Sequence, residues 1–290
     1  MNSIDTFAVI GGDLRSAYLA GQLAVDGYKV ITSGFDSTDL PPCVTGCTNP
    51  AQAVSLADCV ILPLPVTSDG STINAPFSRV RISFDQVLNS LQKSQILLGG
   101  SVSDGVRAEV EGRGLKIHDY FKREELAVLN AVPTAEGAIQ LAMEELPVTI
   151  SGARCLITGY GRVGRVLSRL LVALGANVTL AARRFSDLAW ARTQDCDTIE
   201  LEHLREAGEY DVIFNTVPVL LFDRATLKCL DRNILLIDLA SRPGGVDFNA
   251  AAELQIKTIW ALSLPGRVAP KSAGLIIKNT ILNMMKEGLT

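Results

Sequence analysis

The chain has 290 residues, 48% of them hydrophobic and 20% charged, which suits two ordinary globular domains, each able to bury a core. Its net charge of -4 provides no basic field, so nucleic acid is not an expected partner. No apolar run looks long enough to span a membrane, and the opening MNSIDTF lacks a basic stretch followed by an apolar one, so the expected setting is the cytoplasm, with no membrane partner.

The first part alternates strand and helix. Residues 7–10 read as a strand, 14–25 as a helix, and 28–32 as a second strand after the stop at Gly27. The stretch 34–59 is rich in turn residues, with one short helix. CVILPLPV (59–66) reads as a buried strand ending in prolines, FDQVLNSL as a helix, QILLGGS as a strand, DGVRAEVEGRG as a helix and KIHDY as a strand. Thr134 opens an amphipathic connector helix over 134–146, which Pro147 ends. Beyond it come ARCLITG, RVGRVLSRLLVALG, NVTLAAR, DLAWARTQ, DTIEL, the helical turn EHLREAG, DVIFNTVP, ATLKCL, NILLIDLAS, AAELQ and KTIWALS. This strand–helix alternation predicts a doubly wound parallel sheet. Residues 273–286 form a last amphipathic helix.

The fold class expected is therefore α/β with two Rossmann-like parallel sheets. The expected division is a cleft and substrate domain over 1–130, a connector helix over 131–146, a dinucleotide-binding domain over 147–271, and a C-terminal helix over 272–290 that returns to the first domain.

The chain starts a nucleotide fold twice. The second start is the stronger: Gly159, Tyr160, Gly161, Arg162, Val163 and Gly164 form a complete G-x-G-x-x-G between a strand and a helix. In that pattern the first glycine makes the turn, the second admits the pyrophosphate and the third packs helix on strand, with the helix N-terminus facing the phosphates. An NAD site usually places an acid about twenty residues on. Here Arg183 and Arg184, followed by Ser186, stand at that point, and a guanidinium suits a 2′-phosphate, so the expected cofactor is NADP. Asn215, Thr216 and Pro218 of NTVP sit where such folds pass under the nicotinamide ribose and are cofactor-side candidates. The first start, VIGGDLR, lacks a third glycine, and Asp13 would repel a phosphate, so its loops are expected to face substrate instead.

Six cysteines are scattered along the chain. Cys59 and Cys155 fall in strand-like runs and read as small core residues. Cys43 and Cys47 share a Pro/Gly loop without two further ligands nearby, so no metal is expected. Of the two histidines, His203 lies in a charged stretch, and His118 is as readily structural as catalytic.

Taken together, AVIGGDLR, VPTAEGAIQLAM, GYGRVG, NTVP, DLASRPGGVDF and LPGRVAPKSAG resemble the A subunit of dipicolinate synthase from spore-forming bacteria, over nearly the whole chain. The resemblance implies an NADP-dependent oxidation in the mother cell of a sporulating bacterium. A dihydrodipicolinate from the lysine and diaminopimelate pathway becomes pyridine-2,6-dicarboxylate. It also implies a partner, a flavoprotein-like B subunit. Arg267 stands within the last motif where relatives would carry an apolar residue.

Such chemistry needs a hydride acceptor, a proton acceptor and cationic or amide groups for two carboxylates, with catalysis mostly by positioning. Arg242 with Ser241, Arg15 and Thr134 are the substrate candidates, and Lys271, Glu136 and Asp13 the candidate bases. Each has a plainer alternative: Arg242 as a loop pin, Lys271 or Thr134 as a helix cap. Two other readings stay open, a dehydrogenase for another small carboxylate and a non-catalytic NADP-binding subunit. Homo-oligomerisation is compatible with all three.

Overall fold

The computed structural model describes residues 4–206 and 208–289; the start of MNSIDTF and Ala207 of EHLREAG lie outside them. The chain divides into two units. One runs from the N-terminus through Leu129 and resumes at Ala269, and the other is Asn130–Val268.

The first unit holds β1 (Thr6–Ile10), α1 (Leu14–Val25), β2 (Lys29–Ser33), β3 (Thr45–Gly46), α2 (Pro50–Ser55), β4 (Cys59–Ile61), α3 (Phe84–Asn89), β5 (Ile96–Gly99), α4 (Asp104–Gly112) and β6 (Ile117–Asp119). Its six strands are parallel, in the order β3-β2-β1-β4-β5-β6. A helix, α5 (Glu124–Glu145), begins in this unit and continues into the second. There follow β7 (Arg154–Thr158), α6 (Arg162–Ala173), β8 (Asn177–Ala182), α7 (Phe185–Arg192), β9 (Asp197–Glu200), β10 (Val212–Asn215), α8 (Arg224–Leu227), β11 (Leu235–Asp238), α9 (Phe248–Glu253), β12 (Lys257–Trp260) and α10 (Leu264–Val268). These strands are again all parallel, ordered β12-β11-β10-β7-β8-β9. The last helix, α11 (Pro270–Lys286), belongs to the first unit.

Both sheets are covered on both faces, which is why their central strands read as unbroken apolar runs. In β1, Ala8 and Ile10 enter one core while Phe7 and Val9 enter the other. In β7 and β10 the same split puts Cys155, Ile157, Val212 and Phe214 on one side and Leu156 and Ile213 on the other. Burial pushes the Cys155 thiol up to about 12 and that of Cys196 up to about 11, so both stay protonated and pack as small apolar groups.

Several expectations need correction. The connector helix does not start at Thr134: α5 is continuous over 22 residues with Pro133 inside it. Thr134 is therefore no cap, and its hydroxyl donates to the Asn130 carbonyl at 2.7 Å. Proline removes one backbone bond, and packing on both sides outweighs that loss: Leu126 is buried in a core of the first unit, and Ala135, Ala138, Ile139 and Ala142 in a core of the second. The same continuity makes α5 long and apolar enough, by length and composition, to cross a bilayer, where the shorter helix expected from sequence is not. β4 stops at Ile61, since the following prolines cannot donate to a ladder; the Leu64–Pro65 peptide is cis. The two-residue strand β3 and the short helix α10 carry too little pattern to be read from sequence.

Within the first unit α11 crosses α1 at Gly274. A Cβ there would lie 2.5 Å from the Arg15 carbonyl oxygen and 3.1 Å from the Leu19 nitrogen, so only glycine admits this spacing. Lys278, one turn on and nearly buried, closes the crossing with a 2.5 Å ion pair to Asp26. Gly274→Val should push the helices apart and cost about 2–3 kcal/mol of stability, read as a shift of the urea midpoint. An unshifted midpoint would mean that this spacing is not set at Gly274.

Candidate functional site

The two glycine turns differ at the helix that follows each. In α1 the N-cap is Asp13, whose carboxylate accepts the Arg15 backbone N–H at 2.9 Å and the Arg15 guanidinium at 2.8–3.0 Å. The helix end thus already carries its own anion. The space over the turn is also occupied. The Gly12 N–H donates to the Asn74 carbonyl at 2.8 Å, and a Cβ on Gly11 would meet Ile73, Asn74 and Ala75 within 3.0 Å. In α6 the N-cap is Gly161, with no side-chain cap and nothing within 4 Å of where its Cβ would be. Its first-turn N–H groups have no carboxylate cap in front of them, the arrangement an external phosphate uses.

An open groove of about 520 Å³ lies over this second turn, at the carboxyl ends of β7, β8 and β10. It is lined by Gly159, Tyr160 and Gly161 of the turn, by Thr216, Val217 and Pro218 on one wall, and by the exposed Arg183 and Arg184 with the buried Asp187. It sits where the strand order reverses between β7 and β10, the place where open α/β sheets take ligands. The two arginines are not equivalent. Arg184 is bound by the buried Asp187 through two bonds, 2.8 and 3.1 Å, while Arg183 is exposed and has no such partner among the described residues. Asp187 also faces Arg165 at 3.8 Å, and the Arg165 guanidinium lies 5.2 Å from the Tyr160 ring centroid. Neither Asp187 nor Arg165 stands out in the sequence. The i,i+3 spacing of Arg184 and Asp187 on a helix start was the available signal.

A fully buried polar row closes the carboxyl edge of this sheet. Thr158, Asn215 and Asp238 are neighbours on the last rungs of β7, β10 and β11. The Thr158 hydroxyl donates to Asn215 Oδ1 at 2.6 Å, and Asn215 Nδ2 donates to Asp238 Oδ1 at 2.7 Å and to the Val217 carbonyl at 3.0 Å. The Val217 N–H completes the amide at 3.1 Å. Asn215 therefore has all four hydrogen-bonding positions used inside the fold. Its side chain therefore holds the NTVP loop, whose Thr216, Val217 and Pro218 line the groove. Asp238 accepts the Ala240 and Gly245 N–H groups at 3.1 and 2.8 Å and so shapes the loop that carries Ser241 and Arg242, both exposed. That loop lies against the groove's lining: a Cβ on Gly245 would come within 2.6 Å of the Val217 carbonyl oxygen.

With this geometry in view, comparison with known proteins places the chain. Residues 6–121 match the family model for the N-terminal domain of the dipicolinate synthase A subunit. The A subunit of dipicolinate synthase from Bacillus subtilis (strain 168) is 31% identical over 285 residues, 97% of this chain and 95% of the relative. The chain belongs to the family of dipicolinate synthase A subunits. The crystal structure of the dipicolinate synthase A subunit from Bacillus halodurans superposes with a TM-score of 0.89 at 29% identity, covering 97% of each chain. A transhydrogenase from Sinorhizobium meliloti shares the fold, with a TM-score of 0.72 at 15% identity over 97% of this chain and 94% of its own.

The other candidate residues of this dipicolinate synthase family member distribute between the units. The first unit holds Asp13, Arg15 and Lys271. Arg15 donates to the Leu64 carbonyl at 2.9 Å besides its pair with Asp13, so it ties the loop after β1 to the loop after β4. Lys271 is exposed on the first turn of α11, one turn before the crossing at Gly274. The second unit holds Thr134, Ser241, Arg242 and Glu136, the last exposed on α5 beside Gly137, whose missing side chain admits α10. Arg267 is exposed on α10. Arg162, Val163 and Ser186 lie in the first turns of α6 and α7, outside the residues lining the groove. His203 is exposed between Glu202 and Glu206, and burial, then Lys116, pulls the His118 imidazole below its usual range.

Proposed function

We propose that this chain oxidises dihydrodipicolinate to dipicolinate (pyridine-2,6-dicarboxylate) with NADP, in the cytoplasm of a sporulating cell and together with a B subunit. The observation that carries the reading is the uncapped Gly159–Gly161–Gly164 turn under an open groove whose lining includes Arg183, in a chain of the dipicolinate synthase family. The residues present fit a dinucleotide: the turn is open where a pyrophosphate would lie, α6 has no anion of its own, and Arg183 stands ready for a 2′-phosphate.

NADP+, when bound, supplies the hydride acceptor. The stoichiometry is dihydrodipicolinate + NADP+ → dipicolinate + NADPH + H+. Arg242 binds one substrate carboxylate from the loop beside the groove, and the gain of aromaticity leaves the protein mainly to position the ring. The proton passes to an exposed base, for which the unit that carries the groove offers Glu136. The test is to mix the protein with NADP+ and freshly generated dihydrodipicolinate and follow NADPH and pyridine absorbance. No signal with or without a B subunit would overturn the reading.

The unequal arginines give a separate expectation. Arg183→Ala should weaken NADP binding about ten- to a hundredfold and leave NAD nearly unaffected. Arg184→Ala should cost less, because its guanidinium is committed to Asp187. Titration of both variants with both dinucleotides checks this, and equal losses from the two would remove the distinction.

A further inference from the structure

We propose that Trp260 is a positioning residue for Arg242. Its indole orients the guanidinium so that every N–H donor stays available to a carboxylate of the substrate. This rests on the reading of Arg242 as a substrate residue given above. The Arg242 guanidinium carbon lies 5.7 Å from the Trp260 ring centroid. Trp260 is the last residue of β12, in register with Asp238, and is itself fixed from three directions. Its Nε1–H donates to the Ala240 carbonyl at 3.1 Å, and Phe248 stacks on it at 5.3 Å and 25°. A Cβ on Gly244 would come within 3.3 Å of its ring, so the loop backbone lies against the indole.

Two other site arginines are held differently. Arg15 and Arg184 are oriented by carboxylates, Asp13 and Asp187, which consume their donors. A carboxylate beside Arg242 would likewise fill the fork and repel an anionic ligand. An aromatic ring engages the guanidinium through its π-system and uses none of the five N–H groups. Arg242 has no hydrogen bond or ion pair among the described residues, so its bidentate edge is free for a planar carboxylate. The indole also gives the site a spectroscopic reporter, since the only other tryptophan, Trp190, is 62% exposed on α7.

The experiment uses the full chain carrying Trp190→Phe, so that emission comes from Trp260 alone. Pyridine-2,6-dicarboxylate, added with and without NADP+, should change that emission, and Arg242→Ala in the same background should abolish the change. In steady-state assays Trp260→Ala should raise the KM for dihydrodipicolinate about tenfold with kcat and the NADP Kd nearly unchanged, and Trp260→Phe should recover most of the loss. Emission insensitive to the dicarboxylate under both conditions, or an unchanged KM in a folded Trp260→Ala, overturns the proposal even if the protein turns substrate over. Conversely, an Arg242-dependent emission change in a protein that makes no NADPH sustains the carboxylate platform while the oxidation reading fails. The emission measurement leaves Trp260 intact, so it holds even if Trp260→Ala does not fold.

Discussion

Gly164→Ala is expected to lower NADP affinity about a hundredfold and to lower the melting temperature by several degrees. The added Cβ would lie 2.2 Å from the Gly159 carbonyl oxygen and 3.1 Å from its carbon, both backbone atoms. No rotamer relieves such a contact. Helix α6 must slide away from the end of β7, taking with it the uncapped N–H groups that face the groove. The turn has little slack on its other side: Gly159 sits at φ +91°, and a Cβ there would strike Thr216 Oγ1 at 2.6 Å and Val217 at 2.8 Å. Titration calorimetry with NADP+ and a thermal melt on the same sample check the two halves of the effect. A variant that binds within about threefold of the parent would show that the turn relaxes without moving the helix.

Asp238→Ala is expected to be the most destabilising side-chain deletion among the site residues, by about 3 kcal/mol or more. The carboxylate is fully buried and accepts three donors: Asn215 Nδ2, the Ala240 N–H and the Gly245 N–H. Deletion leaves the two backbone N–H groups without a partner and Asn215 Nδ2 with only the Val217 carbonyl, and it releases both ends of the loop that carries Arg242. Asp238→Asn should fall in between. Its oxygen can keep the two bonds made at Oδ1, but its amide then faces the Gly245 N–H, donor against donor. The urea midpoint gives the order of stability, and the KM for dihydrodipicolinate should rise in Asp238→Asn more than the Kd for NADP. Equal midpoints for the two variants would mean that the two bonds made at Oδ1 contribute nothing and that the loop is held through the Gly245 bond.

The parts of the chain are unequally legible before folding. The pair of Rossmann-like sheets follows from local signals alone, because each strand is a short apolar run and most helices begin at a side-chain cap within three residues of their first turn. Asp13 in α1, Ser83 in α3 and Ser103 in α4 are such caps. G-x-G-x-x-G is equally local, and so is the absence of an acid directly after β8. The helix over 124–145 misleads at its start for the opposite reason. Pro133 and Thr134 spell a boundary locally, and what carries the helix through them is apolar packing on its two halves, which local pattern does not contain.

By itself, then, the sequence determined the fold class, the turn that can accept a dinucleotide, and the basic pair beside it. These depend on residues within one strand–turn–helix, where backbone geometry and side-chain type leave few alternatives. Tertiary structure alone decided why the first glycine turn is closed, since its lid of Ile73, Asn74 and Ala75 comes from a distant stretch of the same unit. It also decided that Asn215 serves the fold and that Arg242 rests on Trp260 with its donors free. Those outcomes depend on which strand ends the sheet order brings side by side, and burial there forces each polar group to find its partner across the rungs rather than along the chain.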